Sequence, residues 1–170
     1  STMAEIFIKK YGFERVYAGA IFKSVASDLG IDITELSASD KILEIDYKVD
    51  DELKEIYRTR FNDNLLIESR TSWSFMPKAF NVFIDVSDDV MAERLFKSDR
   101  SVKERGASLT EAKEKVMKRY NNDVERYKRI YNIDCANLKN YSFVLDNSKL
   151  TPEQTADLIY EEYLKFLHHR

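Results

Sequence analysis

An α/β fold built on a parallel sheet is what this sequence predicts, and three observations predict it. Short runs rich in β-branched, aromatic and other apolar residues recur at Arg15–Tyr17, Asn64–Ile67, Phe80–Val86 and Ser142–Leu145. These runs alternate with longer stretches of helical periodicity, the order that gives right-handed crossovers between parallel strands. The 170 residues, 44% hydrophobic and 34% charged, suit one soluble core. A single domain over residues 1–170 is therefore expected, without repeats or low-complexity segments.

The chain begins with a helix. Thr2-Met-Ala-Glu5 has the spacing of a capping box, and Ile6, Phe7 and Tyr11 make an apolar stripe that stops at Gly12. The strand at Arg15–Tyr17 leads into a helix over Ala20–Leu29 that ends at Gly30. Ile33 to Phe61 reads as mostly helical, with a break near Leu43–Lys48. Asn64-Leu-Leu-Ile67 is a compact apolar run, the pattern of a buried strand. Phe80–Val86 alternates and reads as the next strand; Asp88–Phe96 reads as a helix. Ser98–Ser108 is polar, basic and contains Gly106, so it is expected to be a mobile loop. Leu109–Tyr131 predicts a long helix, Ser142–Leu145 a strand, and Thr151-Pro152-Glu153 the start of a last helix reaching about Leu167.

Composition removes several function classes. A net charge of −3 argues against a dedicated binder of nucleic-acid polymers. Lysine and arginine are nevertheless dense between Arg94 and Arg129, which suggests a small anionic ligand. The lone Cys135 forms no internal disulfide and fits a reducing cytoplasm. No apolar run approaches the roughly 20 residues that a membrane helix needs. Zinc-type spacing of cysteine and histidine is absent, and His168 and His169 are expected to be inert.

Arg119-Tyr-Asn-Asn-Asp123-Val-Glu-Arg126 carries the most chemistry. Arg119, Asp123 and Arg126 stand at i, i+4 and i+7, one face of a helix. Two guanidiniums flanking a carboxylate suit a polyphosphate and its sugar, because each guanidinium forks onto phosphate oxygens while the carboxylate accepts hydroxyls. The competing explanation is a solvated face with one i,i+4 and one i,i+3 ion pair.

Several segments together resemble one family, the cytidylate kinases, above all their short archaeal-type branch. Tyr17-Ala-Gly-Ala-Ile-Phe-Lys23 resembles its Ser-Gly-x-φ-φ-Arg acceptor segment, and Asn64-Leu-Leu-Ile-Glu-Ser-Arg70 its strand ending in Glu-Gly-Arg. The Arg119, Asp123, Arg126 spacing is that of the family's lid helix. Tyr127-Lys-Arg-Ile-Tyr-Asn-Ile-Asp134 resembles the family's Arg-Tyr-x-x-φ-Tyr-x-φ-Asp run, and Phe143-Val-Leu-Asp-Asn-Ser-Lys-Leu-Thr-Pro-Glu153 its last strand and helix. The resemblance runs in order from residue 1 to about residue 160.

It implies a three-layer P-loop NTPase-type parallel sheet with helices on both faces and a helical lid at about residues 98–126. It also implies transfer of the γ-phosphoryl group of ATP, with Mg²⁺, to CMP or dCMP by a cytoplasmic monomer. Ser1-Thr2-Met-Ala-Glu5 resembles the residues on the C-terminal side of the lysine in G-x-x-x-x-G-K-[ST], which would make Ser1 a Mg²⁺ ligand and put Thr2 near the α-phosphate. A cloning remnant or an ordinary helix cap are the other readings of Ser-Thr. The glycine-rich loop, its lysine and the strand before them are not in the sequence. An upstream piece of the natural protein is therefore expected, with a degraded relative as the alternative.

Within the resemblance, Gly19 and Lys23 belong to the acceptor segment, and Lys23 stands where the family has arginine. The charge is kept and the bidentate fork lost, so weaker acceptor binding is expected. Arg70 would grip the acceptor phosphate at a strand's end, where α/β sheets place ligands. Ser69 replaces the usual glycine before it. Trp73 would line the acceptor base site, or else serve as a core or rim aromatic. Asp123 would hold the acceptor ribose, and Arg119 and Arg126 the phosphates. Arg94 would stack on the donor base or be an exposed helix arginine. Glu68 and Asp85 could contact Mg²⁺ through water, with helix capping as the alternative for Asp85. The rival function is a non-catalytic nucleotide-binding or interaction module, supported by the absent lysine loop, Lys23 and Ser69.

Overall fold

The computed structural model describes residues 2–31, 40–61 and 63–169. Ser1 and residues 32–39, on which parts of the expected phosphate site and the expected Ile33–Phe61 helix fall, lie outside the described residues. The chain divides into two compact units, Ser1–Ala79 and Phe80–Arg170.

The first unit holds α1 (Thr2–Tyr11), β1 (Glu14–Tyr17), α2 (Ala18–Asp28), α3 (Asp40–Arg60), β2 (Leu65–Glu68) and a 3₁₀ turn over Ser72–Ser74. Ala4 and Phe7, at i and i+3, form the buried face of α1, and the Phe7 and Phe13 rings meet edge to face at 5.3 Å. Gly30 closes α2 with φ +65°, where its N–H bonds Ser27 O and the Ile31 N–H reaches back to Ala26 O. Those are the two bonds of a helix stop that favours glycine.

β1 and β2 pair in parallel, with Glu14 opposite Leu65 and Tyr17 opposite Glu68. Val16 points into the core, so Arg15 and Tyr17 share the other face. Ile45, Val49 and Leu53 repeat at i, i+4 and i+8 on α3 and, with Val16, Ala26 and Met76, make this unit's core. Ile45 and Leu53 are wholly buried. Removing each such side chain from water contributes about 1.5–3 kcal/mol.

The break expected near Leu43–Lys48 is absent: α3 runs unbroken from Asp40 to Arg60. The stretch contains neither glycine nor proline, its apolar stripe keeps one register, and a Glu44–Lys48 ion pair of 3.0 Å spans the spot. At the far end Arg60 forks onto both Glu14 carboxylate oxygens at 2.8 and 2.7 Å, joining α3 to the start of β1.

The second unit holds β3 (Val82–Asp85), α4 (Asp88–Phe96), α5 (Val102–Arg105), α6 (Leu109–Tyr131), a 3₁₀ turn over Leu138–Asn140, β4 (Phe143–Asp146) and α7 (Pro152–His168). β3 and β4 pair in parallel, Val82 opposite Phe143 and Asp85 opposite Asp146. α4 packs on α6, and the small buried Ala92 and Ala112 allow the close approach. Phe80 gathers Phe143, Tyr163 and Phe166 at ring separations of 6.3, 6.0 and 5.2 Å. α7 starts at Thr151 with Pro152 in the first turn, as expected from sequence, and Thr151 and Gln154 add a capping box.

The expected loop at Ser98–Ser108 contains the one-turn α5. Ser101 and Glu104 form a capping box there, a spacing present in the sequence but masked by the surrounding charged residues. The turn is tied to α6, since Lys115 donates to Lys103 O at 2.7 Å. Gly106 has φ +91°, and a Cβ there would stand 2.9 Å from Ala112 N. Only glycine fits this approach.

The described strands thus form two two-stranded parallel sheets, one in each unit, within a helix-rich α/β chain.

Candidate functional site

In the first unit the segments around Gly19 and Arg70 lie at the carboxyl ends of the paired strands. α2 starts directly after Tyr17 and the 69–74 turn directly after Glu68, and those two residues are register partners. Gly19 is the second residue of α2, and Lys23, one turn on, is exposed. A Cβ on Gly19 would come within 2.6 Å of the Tyr17 ring, so a side chain there would push the exposed tyrosine aside.

Arg70 follows β2 with an exposed side chain, while its carbonyl accepts from Trp73 Nε1 at 3.1 Å. Trp73, half-buried, caps the turn that carries Arg70. Ser69 does more than fill a glycine's place. Its hydroxyl accepts from the N–H groups of Thr71 and Ser72, both at 3.2 Å, which shapes the turn.

Two further residues of this unit are not singled out by the sequence. Arg15 donates through Nε to Glu68 at 2.9 Å and also through Nη2, and its guanidinium lies 4.9 Å from the Tyr17 ring centre. Glu68 is therefore engaged by an arginine of the neighbouring strand. The i, i+2 spacing of Arg15 and Tyr17 is the available signal. Asp50 on α3 is buried and accepts from Thr71 Oγ1 at 3.0 Å. Its position beside the apolar Val49 and Leu53 is what marks it as a paired buried acid.

In the second unit, α6 carries Arg119, Asp123 and Arg126. Arg126 Nη2 donates to Asp123 Oδ1 at 3.1 Å and to the Tyr127 phenol at 2.8 Å. Both members of the ion pair are over four-fifths buried, and the guanidinium lies 4.8 Å from the Tyr127 ring centre. A planar cation held on an edge and on a face has few rotamers left to lose when a ligand arrives. Tyr127 itself is buried and packs at 6.1 Å on Tyr131. Arg119, two turns before Arg126, stands exposed.

Arg94 on α4 donates from Nη1 to Asn147 Oδ1 and from Nη2 to Asn147 O, both at 2.9 Å. Asn147 follows β4, so Arg94 ties α4 to the strand's carboxyl end. Beside it the Ser148 hydroxyl and N–H both donate to Asp146, which holds this carboxyl below its usual range. Asp85, at the end of β3, accepts from Val86 N at 2.9 Å; the following helix starts after Ser87.

Thr2 is the exposed first residue of α1, and Ser1 lies outside the described residues. Among the described residues no group of three or more Asp, Glu, His or Cys side chains is placed to hold a metal ion. No described helix is long and apolar enough to cross a membrane.

The cytidylate kinase-like family matches over residues 1–149. A cytidylate kinase of Sulfolobus acidocaldarius is 32% identical over 162 residues, covering 94% of this chain and 85% of that protein. A cytidylate kinase of Pyrococcus abyssi is 32% identical over 155 residues, covering 90% and 81%. An S-adenosylmethionine-dependent nucleotide dehydratase of Lacinutrix mariniflava is 29% identical over 168 residues, covering 97% of this chain and 33% of that longer protein. A family match over nearly nine-tenths of the chain, with two relatives above 30% identity, establishes that this protein belongs to the cytidylate kinase-like family.

Proposed function

We propose that this protein transfers the γ-phosphoryl group of ATP to CMP or dCMP, giving ADP and CDP or dCDP. The observation that carries the reading is the pre-set Arg126, held by Asp123 and Tyr127 on the helix whose spacing first suggested phosphate chemistry. Phosphoryl transfer asks a protein for positioning and for neutralisation of spread negative charge, with little covalent chemistry.

In this reading Lys23 and Arg70 neutralise the acceptor phosphate at the carboxyl ends of β1 and β2, with Gly19 and Trp73 shaping that subsite. Asp123 accepts from the acceptor sugar's hydroxyls, and Arg119 and Arg126 balance charge on the transferring group. Arg94, gripped along its edge by Asn147, offers a guanidinium plane for the donor base. Thr2, at the start of a ten-residue helix, contributes its helix N-terminus toward the donor phosphates. Mg²⁺ enters bound to ATP, as part of the donor substrate, with Ser1 as its hydroxyl ligand. The chain acts as one kinase domain with a three-layer P-loop-type sheet, as a cytoplasmic monomer, and residues 98–126 close as a lid that excludes water.

The test is an acceptor panel of CMP, dCMP, UMP and AMP with labelled ATP. CDP or dCDP is expected to form fastest. Faster phosphorylation of UMP or AMP would overturn the acceptor assignment. Nucleotide binding with no turnover of any acceptor would favour the non-catalytic module.

A further inference from the structure

We propose that Asp50 is a positioning residue that sets Arg70 for the acceptor, acting through Thr71. The inference rests on the reading of Arg70 as an acceptor-phosphate ligand and deepens it. Asp50 and Thr71 are 5% and 6% exposed, and their hydrogen bond spans 21 positions of sequence. A carboxylate at that depth is unfavourable without a partner, and an apolar residue would have extended the Val49–Leu53 wall. The acid at position 50 therefore calls for a reason beyond packing, and the turn supplies one.

The 69–74 turn has its own internal bonds. Ser69 Oγ accepts from two backbone N–H groups, Trp73 Nε1 donates to Arg70 O, and Ser74 Oγ donates to Thr71 O at 2.7 Å. These bonds fix the turn's shape but not its place. The bond from Thr71 to Asp50 runs from the turn to the long, well-packed α3. Thr71 is joined by one peptide to Arg70, so holding its side chain fixes where the Arg70 Cα points. A guanidinium on a tethered turn binds a phosphate with less ordering than one on a loose turn. Asp50 touches no substrate in this scheme; it changes how much of the Arg70 population is ready.

The experiment uses the full chain with Thr71→Val, Thr71→Ser, Asp50→Ala and Asp50→Asn. Val has threonine's shape without the donor; Ser restores the donor, and Asn keeps an acceptor oxygen. Two readouts are taken: steady-state constants for both substrates, and acrylamide quenching of Trp73, the chain's single tryptophan. T71V and D50A are expected to raise the acceptor KM about 5- to 10-fold, the loss from one hydrogen bond, with kcat and the ATP KM within about twofold. Both should make Trp73 more accessible to quencher, and T71S and D50N should return both readouts toward the parent. Folded T71V with unchanged Trp73 quenching would sink the tether. A shifted Trp73 with the acceptor KM unchanged would sink its role in acceptor binding. Failure of the parent protein to bind any nucleoside monophosphate would instead sink the reading of Arg70, and the quenching result would still decide the tether.

Discussion

Arg126 stands 3.1 Å from the Asp123 carboxylate, one helical turn away, in an ion pair more than four-fifths buried. The Tyr127 phenol accepts a second bond from the same nitrogen. A cation placed this way is costly to hold for surface solubility alone, since exposed i,i+3 pairs contribute only tenths of a kcal/mol. Its fixed orientation is what a phosphate ligand would use.

Arg126→Ala is expected to lower kcat by about 100-fold or more, the size of losing one pre-set donor to a transition state. The accompanying stability loss should be about 1–3 kcal/mol, from leaving Asp123 and the Tyr127 phenol short of a partner. Rates measured beside urea unfolding curves separate the two effects. A rate loss that tracks the unfolded fraction would refute the assignment.

Lys23→Arg should strengthen acceptor binding. The guanidinium restores a two-pronged contact where the ammonium offers a point charge, so the CMP KM is expected to fall about 3- to 10-fold. An unchanged CMP KM would remove Lys23 from the acceptor phosphate.

Arg94→Ala should act on the donor side. The ATP KM is expected to rise about 10-fold, with the acceptor KM within about twofold, as for losing one stacking cation. Equal changes in both constants would point to general loosening of the contact between α4 and Asn147.

Gly106→Ala should destabilise the second unit by about 2 kcal/mol or more, since a side chain is strained at that φ and its Cβ would meet the α6 backbone. A thermal shift assay reads this directly, and an unchanged melting temperature would refute the tight approach.

Burial raises the Tyr141 phenol above its ordinary value, and its hydroxyl donates to Cys135 O at 2.9 Å. As pH passes about 10 the unfolded chain gives up this proton first, so the contribution present below that pH is lost on the way to the folded value. Tyr141→Phe should cost about 1 kcal/mol near neutrality and flatten the alkaline fall in stability. Parallel alkaline unfolding curves for parent and variant would contradict this.

Local chemistry is the legible part. The α6 register, the Thr151 cap, the strand at Val82–Asp85 and the spacing of Arg119, Asp123 and Arg126 all follow from periods and caps within one segment. Two local readings differ from the structure. The break expected near Leu43–Lys48 does not occur, because a stretch without glycine or proline stays helical when its buried stripe keeps register. α5 is hidden because one capped turn is too short to show a period.

The sequence by itself determined most of the element types and, through its ordered motifs, the family. Tertiary structure decided which side chain answers which: Glu68 to Arg15, Asp50 to Thr71 and Arg94 to Asn147. Helical and strand periods are set by neighbours a few residues apart, so one segment suffices to read them. Pairings across 53 or 21 positions exist only once strand register and helix packing have closed the intervening chain.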